Sequence, residues 1–166
     1  MTDLVIRVAA DDDVEALLDL RRCWAEEQGA VHDPGFEVRF RAWHGQERHQ
    51  RTFWLAVPGE PAAEPAVGMV NLLTFDRMPS PGRAQSRWGY LANMYVRPEH
   101  RDRGVGQQLL DALVLHAEAA GFERIVLSPS GRSVPFYRRT GFGPADQLLL
   151  RPSSGTTAPP SVVSET

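Results

Sequence analysis

The chain has 166 residues, 42% of them hydrophobic and 23% charged, with a formal net charge of −3. That composition is expected of one globular domain, and it excludes a disordered chain and a polybasic binder of nucleic acid or anionic membrane. All 18 cationic residues are arginine, which also excludes Schiff-base catalysis and the lysine of a Walker phosphate loop.

Leu4 to Val8 reads as a first strand. The Asp11, Asp12, Asp13 run after it supplies a capping carboxylate. Val14, Leu17, Leu18, Arg21 and Trp24 recur at helical spacing up to Gly29, and a second helix is expected from Phe36 to about Gln46. Thr52 to Val57 and Ala66 to Phe75 are apolar and β-branched, a hairpin closed by the Pro58 to Pro65 loop. Trp88 to Val96 is apolar on both alternating sets, as a strand inside a sheet should be. Val105, Leu109, Leu110, Leu113, Val114 and Ala117 form the apolar stripe of a further helix that ends at Gly121. A short buried strand at Arg124 to Leu127, a short helix at Ser133 to Thr140 and a last strand at Gln147 to Arg151 complete the order. The expected fold is α/β with a mixed sheet flanked by helices, spanning 1–151. Residues 152–166, rich in Pro, Ser and Thr, read as a disordered tail.

Cys23, the lone cysteine, permits no internal disulfide and fits a reducing compartment; no apolar run is long enough to span a bilayer, and the start of the chain lacks a signal-peptide core. The expected location is cytoplasmic. His32, His44, His49, His100 and His116 show no metal-ligand spacing, and the Asp11 to Asp13 run lacks the glycine and terminal glutamate of a calcium loop, so no metal is expected.

The chemistry is concentrated in Val96-Arg97-Pro98-Glu99-His100-Arg101-Asp102-Arg103-Gly104-Val105-Gly106, between a strand and an amphipathic helix. Glycines at a helix start let the backbone approach a ligand, the first-turn N–H groups lack partners inside the helix, and the helix end favours an anion such as phosphate. Arg101 and Arg103 add permanently charged donors. Alone, this Gly-x-Gly pair is equally a tight turn with surface arginines.

A second segment, Leu127-Ser128-Pro129-Ser130-Gly131-Arg132-Ser133-Val134-Pro135-Phe136-Tyr137-Arg138-Arg139-Thr140-Gly141-Phe142, follows the next strand. Together the two resemble the GNAT superfamily of N-acetyltransferases. Arg101, Gly104 and Gly106 match its Arg/Gln-x-x-Gly-x-Gly/Ala acetyl-CoA loop, and Tyr137, Gly141 and Phe142 match its Tyr and Gly-Phe motif. The resemblance implies a mostly antiparallel sheet with a splayed central strand pair. It implies acetyl-CoA as co-substrate, its pyrophosphate on the amides of Arg101, Asp102, Arg103, Gly104, Val105 and Gly106 and its pantetheine arm on strand groups at Met94 and Val96. Tyr137 is then the general acid for the departing thiolate.

Two positions depart from the family pattern. Ala92 stands where many members carry a glutamate base, and Ser130 replaces an asparagine seven residues before the tyrosine, so the resemblance implies that Ser130 binds the cofactor with only part of that asparagine's hydrogen bonding. Asn93 and Tyr95 are poor bases at neutral pH; His44 and His49 lie in a region that often borders the acceptor site. The resulting expectation is acetyl transfer to a primary amine by direct attack in a ternary complex, with a small-molecule acceptor. A catalytically silent acyl-CoA-binding regulatory domain and a protein N-terminal or lysine acetyltransferase are the alternatives. The fold is compatible with a homodimer, although no residue pattern points to one.

Overall fold

The computed structural model describes residues 4–59 and 65–153. Its contacts group into two units, Met1–Leu127 and Ser128–Thr166. The first contains β1 (Leu4–Val8), α1 (Val14–Glu27), α2 (Phe36–Glu47), β2 (Arg51–Pro58), β3 (Gly68–Asp76), β4 (Arg87–Val96), α3 (Val105–Ala119) and β5 (Phe122–Val126). The second contains α4 (Val134–Arg139). The sheet is five-stranded in the order β1-β2-β3-β4-β5. Its first three pairings are antiparallel and the last is parallel.

Period-two alternation in β2 divides the core between the two sheet faces. Phe53 meets Trp43 edge-on at 6.2 Å and His44 at 5.5 Å, so it faces α2. Its neighbour Trp54 meets His116 of α3 at 5.2 Å, on the opposite face. Leu17, Leu18 and Leu20 of α1 join Phe40, Phe53, Leu55, Met69 and Tyr95 in one cluster. Val105, Leu109, Leu110, Leu113 and Ala117, the stripe expected from spacing, are the buried positions of α3. The Asp11 to Asp13 run is a short 3-10 turn. Asp13 accepts the Ala10 N–H at 2.7 Å and holds Arg7 through two hydrogen bonds, and the guanidinium keeps its carboxyl below the usual range.

Two features of the sheet matter for function. β5 pairs with β4 only at Arg87↔Phe122, Gly89↔Ile125 and Tyr90↔Val126, while β4 continues along β3 to Val96↔Gly68. Beyond Tyr90, then, β4 has a ladder on one side only among the described residues. The second is a bulge: Met69↔Tyr95 gives way to Asn71↔Ala92, so Asn93 and Met94 together oppose Val70. Asn93 sits there at φ +52°, a left-handed conformation that asparagine tolerates better than most residues.

Two expectations need correction. Arg124 to Leu127 was expected to be a buried strand, but β5 is the sheet's edge and carries Glu123 and Arg124 exposed, because a strand paired on one side over a few positions leaves half its surface to solvent. Gln147 to Arg151 forms no strand; Leu148, Leu149 and Leu150 are exposed, and a turn bond from Leu148 N–H to Ala145 O bends the chain before them. An apolar run without a ladder partner does not become a strand. Of the expected tail, residues 154–166 lie outside the described residues. Among the described residues, no helix is long and apolar enough to cross a membrane.

Gly89 is where β4, β3 and β5 approach closely: a Cβ there would stand 2.5 Å from Leu72 Cδ1 and 3.2 Å from Phe122 Cδ1. Gly89→Ala is expected to destabilise the fold by about 1–3 kcal/mol in denaturant titrations, since Leu72 is fully buried and cannot swing away. His44 is 8% exposed between Phe40 and Phe53, and burial lowers its pKa from 6.5. The unfolded chain therefore binds the proton first. The stability that neutral His44 contributes is complete above pH of about 6.5 and falls as pH drops through that value. Thermal melts between pH 5 and pH 8 should show a flatter slope for His44→Phe than for the unsubstituted protein.

Candidate functional site

The loop from β4 to α3 begins with a 3-10 turn at Pro98–His100, forced by proline at its first position, and ends with Gly104 as the α3 N-cap at φ +77°. Asp102 is also left-handed, at φ +58°. These reversals turn successive backbone amides away from the chain's own carbonyls. His100 N–H donates to Arg97 O and Arg101 N–H to Pro98 O, after which the next bond in sequence is Gln108 N–H to Gly104 O. Among the described residues, no hydrogen bond uses the amides from Asp102 to Gln107. Gly104 and Arg103 are exposed, Gly106 is half-buried and Val105 packs its side chain into the core. The result is a row of donors at the positive end of a 15-residue helix, suited to a diphosphate.

Arg101 has a different position from the one its motif suggests. Its Nε donates to Val96 O at 2.9 Å, and its two terminal nitrogens hold the Glu27 carboxylate at 2.8 and 2.6 Å. Its guanidinium also lies 5.6 Å from the Tyr95 ring centroid. Three of its guanidinium N–H donors are therefore engaged within the protein, and its own amide is bonded to Pro98 O. Arg101 is a tether; Arg103, exposed and without an ion-pair partner among the described residues, remains as the side-chain donor. Arg97 is a second tether, donating to Ala66 O at 3.0 Å, to Cys23 Sγ at 3.2 Å and to the Asp19 carboxylate. Asp19, Cys23 and Glu27 recur every four residues on one face of α1, so a single helical stripe holds both arginines.

Met94 lies in the bulge and Val96 at the end of β4, both past the last β5 pairing. The Val96 carbonyl already accepts from Arg101.

A cavity of about 310 Å³ opens between α1, α2 and the sheet, walled by Leu17, Phe36, Phe40, Trp43, Phe53 and Met69. Its polar lining is Arg21, Arg39, Asn71 and Asn93. Asn71 is 2% exposed and accepts from Arg51 Nη1 at 3.0 Å while donating to Asn93 Oδ1 at 3.0 Å. Arg51 is fixed in turn by Glu47 Oε2 at 3.0 Å. Spacing could not find this chain, because Arg51, Asn71 and Asn93 meet only through strand register. Among the described residues, no carboxylate lines the cavity, and Ala92 offers none from β4. His44 and His49 line a different, more polar recess with Asp11 and Arg48. Tyr95 is 5% exposed under Trp24, 6.0 Å away, and burial pushes its phenol up.

In the second unit, Ser130 builds the turn into α4: its carbonyl accepts the Ser133 and Val134 amides, and its hydroxyl is 3.0 Å from that of Ser133. Tyr137 is 8% exposed, edge-on to Phe136 at 5.2 Å and Phe142 at 5.6 Å. Its carbonyl accepts the Phe142 amide across Gly141, at φ +94°, which explains why a glycine precedes that phenylalanine. Burial pushes the phenol pKa up. Arg132 is exposed. Among the described residues, no group of three or more His, Cys, Asp or Glu could hold a metal.

The sequence is similar to a glucosamine 6-phosphate N-acetyltransferase of Trypanosoma brucei brucei, 30% identical over 76 residues, 46% of this chain and 50% of that protein. The chain thus spans about half the length of that curated relative. Among solved structures, an acetyltransferase of Clostridium acetobutylicum crystallised with acetyl-CoA superposes with a TM-score of 0.72 at 22% identity, over 90% of this chain and 96% of that one. A glucosamine-6-phosphate N-acetyltransferase of Arabidopsis thaliana gives 0.65 at 13% identity, over 90% and 97%. At these identities the likeness shows the fold. The model of the acetyltransferase (GNAT) family, whose members use acetyl-CoA, matches residues 14–142, and the chain belongs to that family.

Proposed function

We propose that the protein is an acetyl-CoA-dependent N-acetyltransferase that acetylates a primary amine on a small molecule by direct attack within a ternary complex. The observation that carries this reading is the row of unengaged amides from Asp102 to Gln107, after a strand whose last half has a ladder on one side only. In this reading those amides and Arg103 take the diphosphate, and β4 around Met94 and Val96 takes the pantetheine arm. Arg101 acts through the loop it anchors. Ser130 supports the helix that presents Tyr137. The single cysteine, Cys23, engaged by Arg97, fits a reducing cytoplasm.

Bound acetyl-CoA supplies an activated acyl carbon and a thiolate leaving group. The amine nitrogen bonds to that carbon as the carbon–sulfur bond breaks, the amine's proton leaves to solvent, and Tyr137 gives its phenolic proton to the sulfur. A phenol held up by burial is protonated throughout the neutral range, as an acid must be. An amine with a lysine-like pKa of about 10.4 is neutral in roughly one molecule in 2,500 at pH 7, a handicap of about 4.6 kcal/mol. With Ala92 at the usual carboxylate position, no side chain on β4 is assigned in this reading to remove that handicap. Ala92 also favours the second reading, a silent acyl-CoA-binding domain, which binds CoA but releases no thiol from acetyl-CoA with any amine.

Three outcomes are expected. Following thiol release with an accepted amine, Tyr137→Phe lowers kcat by about 10²- to 10⁴-fold and leaves CoA affinity by calorimetry unchanged. An unchanged kcat removes Tyr137 from the acid role. The pH profile of kcat/KM rises close to tenfold per unit from about pH 6 toward the amine pKa, whereas a plateau beginning near neutrality would reveal a side-chain base. Glu27→Ala weakens CoA binding because it releases the loop; tighter binding would show instead that Arg101, once released, is itself a phosphate ligand.

A further inference from the structure

The donors and acceptors that line the apolar cavity can be assigned without ambiguity. A guanidinium only donates, so Asn71 must present Oδ1 to Arg51. Asn71 therefore donates through Nδ2, and Asn93 must receive it on Oδ1. What Asn93 has left is its NH2 group, on a residue that the β4 bulge places in the cavity wall. The other polar groups of the lining are the guanidinium of Arg39, paired with Asp33, and that of Arg21. Arg21 lies 4.7 Å from the Trp24 ring centroid, and among the described residues no carboxylate pairs with it. Among the described residues, the polar side chains of this cavity thus offer a ligand mainly donors, two of the groups are cations, and the remaining walls are aromatic and aliphatic.

Resting on the acetyltransferase reading, we infer that this cavity is the acceptor site and that it takes a primary amine with an apolar body and a carboxylate, the carboxylate held by Arg21 and the Asn93 amide. A donor-rich lining favours a ligand that brings acceptors, and a guanidinium with no acidic partner among the described residues matches a carboxylate. The apolar walls refuse a polyhydroxylated ring, whose hydroxyls would be buried without partners. That separates this cavity from a site for an amino-sugar phosphate, the substrate in the name of the trypanosomal relative. The same lining also disfavours an ammonium ion, since cations stand nearby and no anion faces it. The cavity thus binds the amine in the form that attacks, which offsets part of the missing base at Ala92.

The test uses the full-length protein with two readouts, thiol release from acetyl-CoA and calorimetric binding of the acceptor in the presence of CoA. The acceptors are phenylalanine and leucine, each compared with its carboxamide and its decarboxylated amine, together with glucosamine 6-phosphate. The carboxylate-bearing amines should bind and turn over about tenfold or more better than their amide and decarboxylated counterparts. Arg21→Met, which keeps the stem over Trp24, should erase that difference by raising KM for the carboxylates alone. Asn93→Asp still accepts from Asn71 but faces the ligand with oxygen, and should weaken carboxylate binding by a similar factor with an unchanged melting temperature. Equal use of the decarboxylated amines, preference for glucosamine 6-phosphate, or indifference to both variants overturns the inference while leaving acetyl transfer standing. Selective binding without thiol release supports the cavity assignment and contradicts the transferase reading. Failure of both readouts overturns both.

Discussion

Two arginines held by one stripe of α1 set the course of the chain after β4. Arg97 and Arg101 are cations between a strand end and a helix, where charges are costly unless fully partnered. Asp19, Cys23 and Glu27, one helical turn apart, supply those partners together with the carbonyls of Ala66 and Val96. With the loop pinned at both arginines, Asp102 and Gly104 take left-handed conformations, and among the described residues the amides from Asp102 to Gln107 make no hydrogen bonds. The donors that the proposed diphosphate contact uses lie in a loop whose Arg97 and Arg101 side chains are engaged by α1.

The sheet contributes the second constraint. A parallel β4–β5 pairing that stops at Tyr90↔Val126, and a bulge that gives Val70 two opposing residues, both fall on the strand that leads into the loop. The bulge turns Asn93 toward the cavity under α1 and α2, where Arg51 and Asn71 fix its amide. The loop proposed to hold the cofactor and the cavity proposed to take the acceptor therefore both border irregularities of β4.

Much of this was legible in the residues. Strong periodicity gave the helix from Val105, which buries one clear face, and apolar, β-branched character gave the hairpin from Thr52 to Phe75, whose strands are buried on both faces. The Gly104 and Gly106 loop and the Tyr137 to Phe142 motif marked the family, which the match over residues 14–142 shows. The misreadings have physical causes. Sequence shows the charge of Arg101 but not its pairing with Glu27, which approaches from a distant helix. Arg124 to Leu127 looked buried because apolar character does not reveal how many neighbours a strand has. Leu148 to Leu150 looked like a strand for the same reason. The Arg51–Asn71–Asn93 chain could not be seen, since its members meet only through the register of three strands and one bulge.

The central claim is that the amides from Asp102 to Gln107 bind the diphosphate of CoA. Titration of the nitrogen-15-labelled protein with CoA, followed by amide proton chemical shifts, tests it most directly. The account predicts downfield shifts concentrated on Asp102, Arg103, Gly104, Val105, Gly106 and Gln107, with slowed hydrogen exchange at the same amides. Saturable binding that leaves those six resonances in place, or no binding at all, would contradict it.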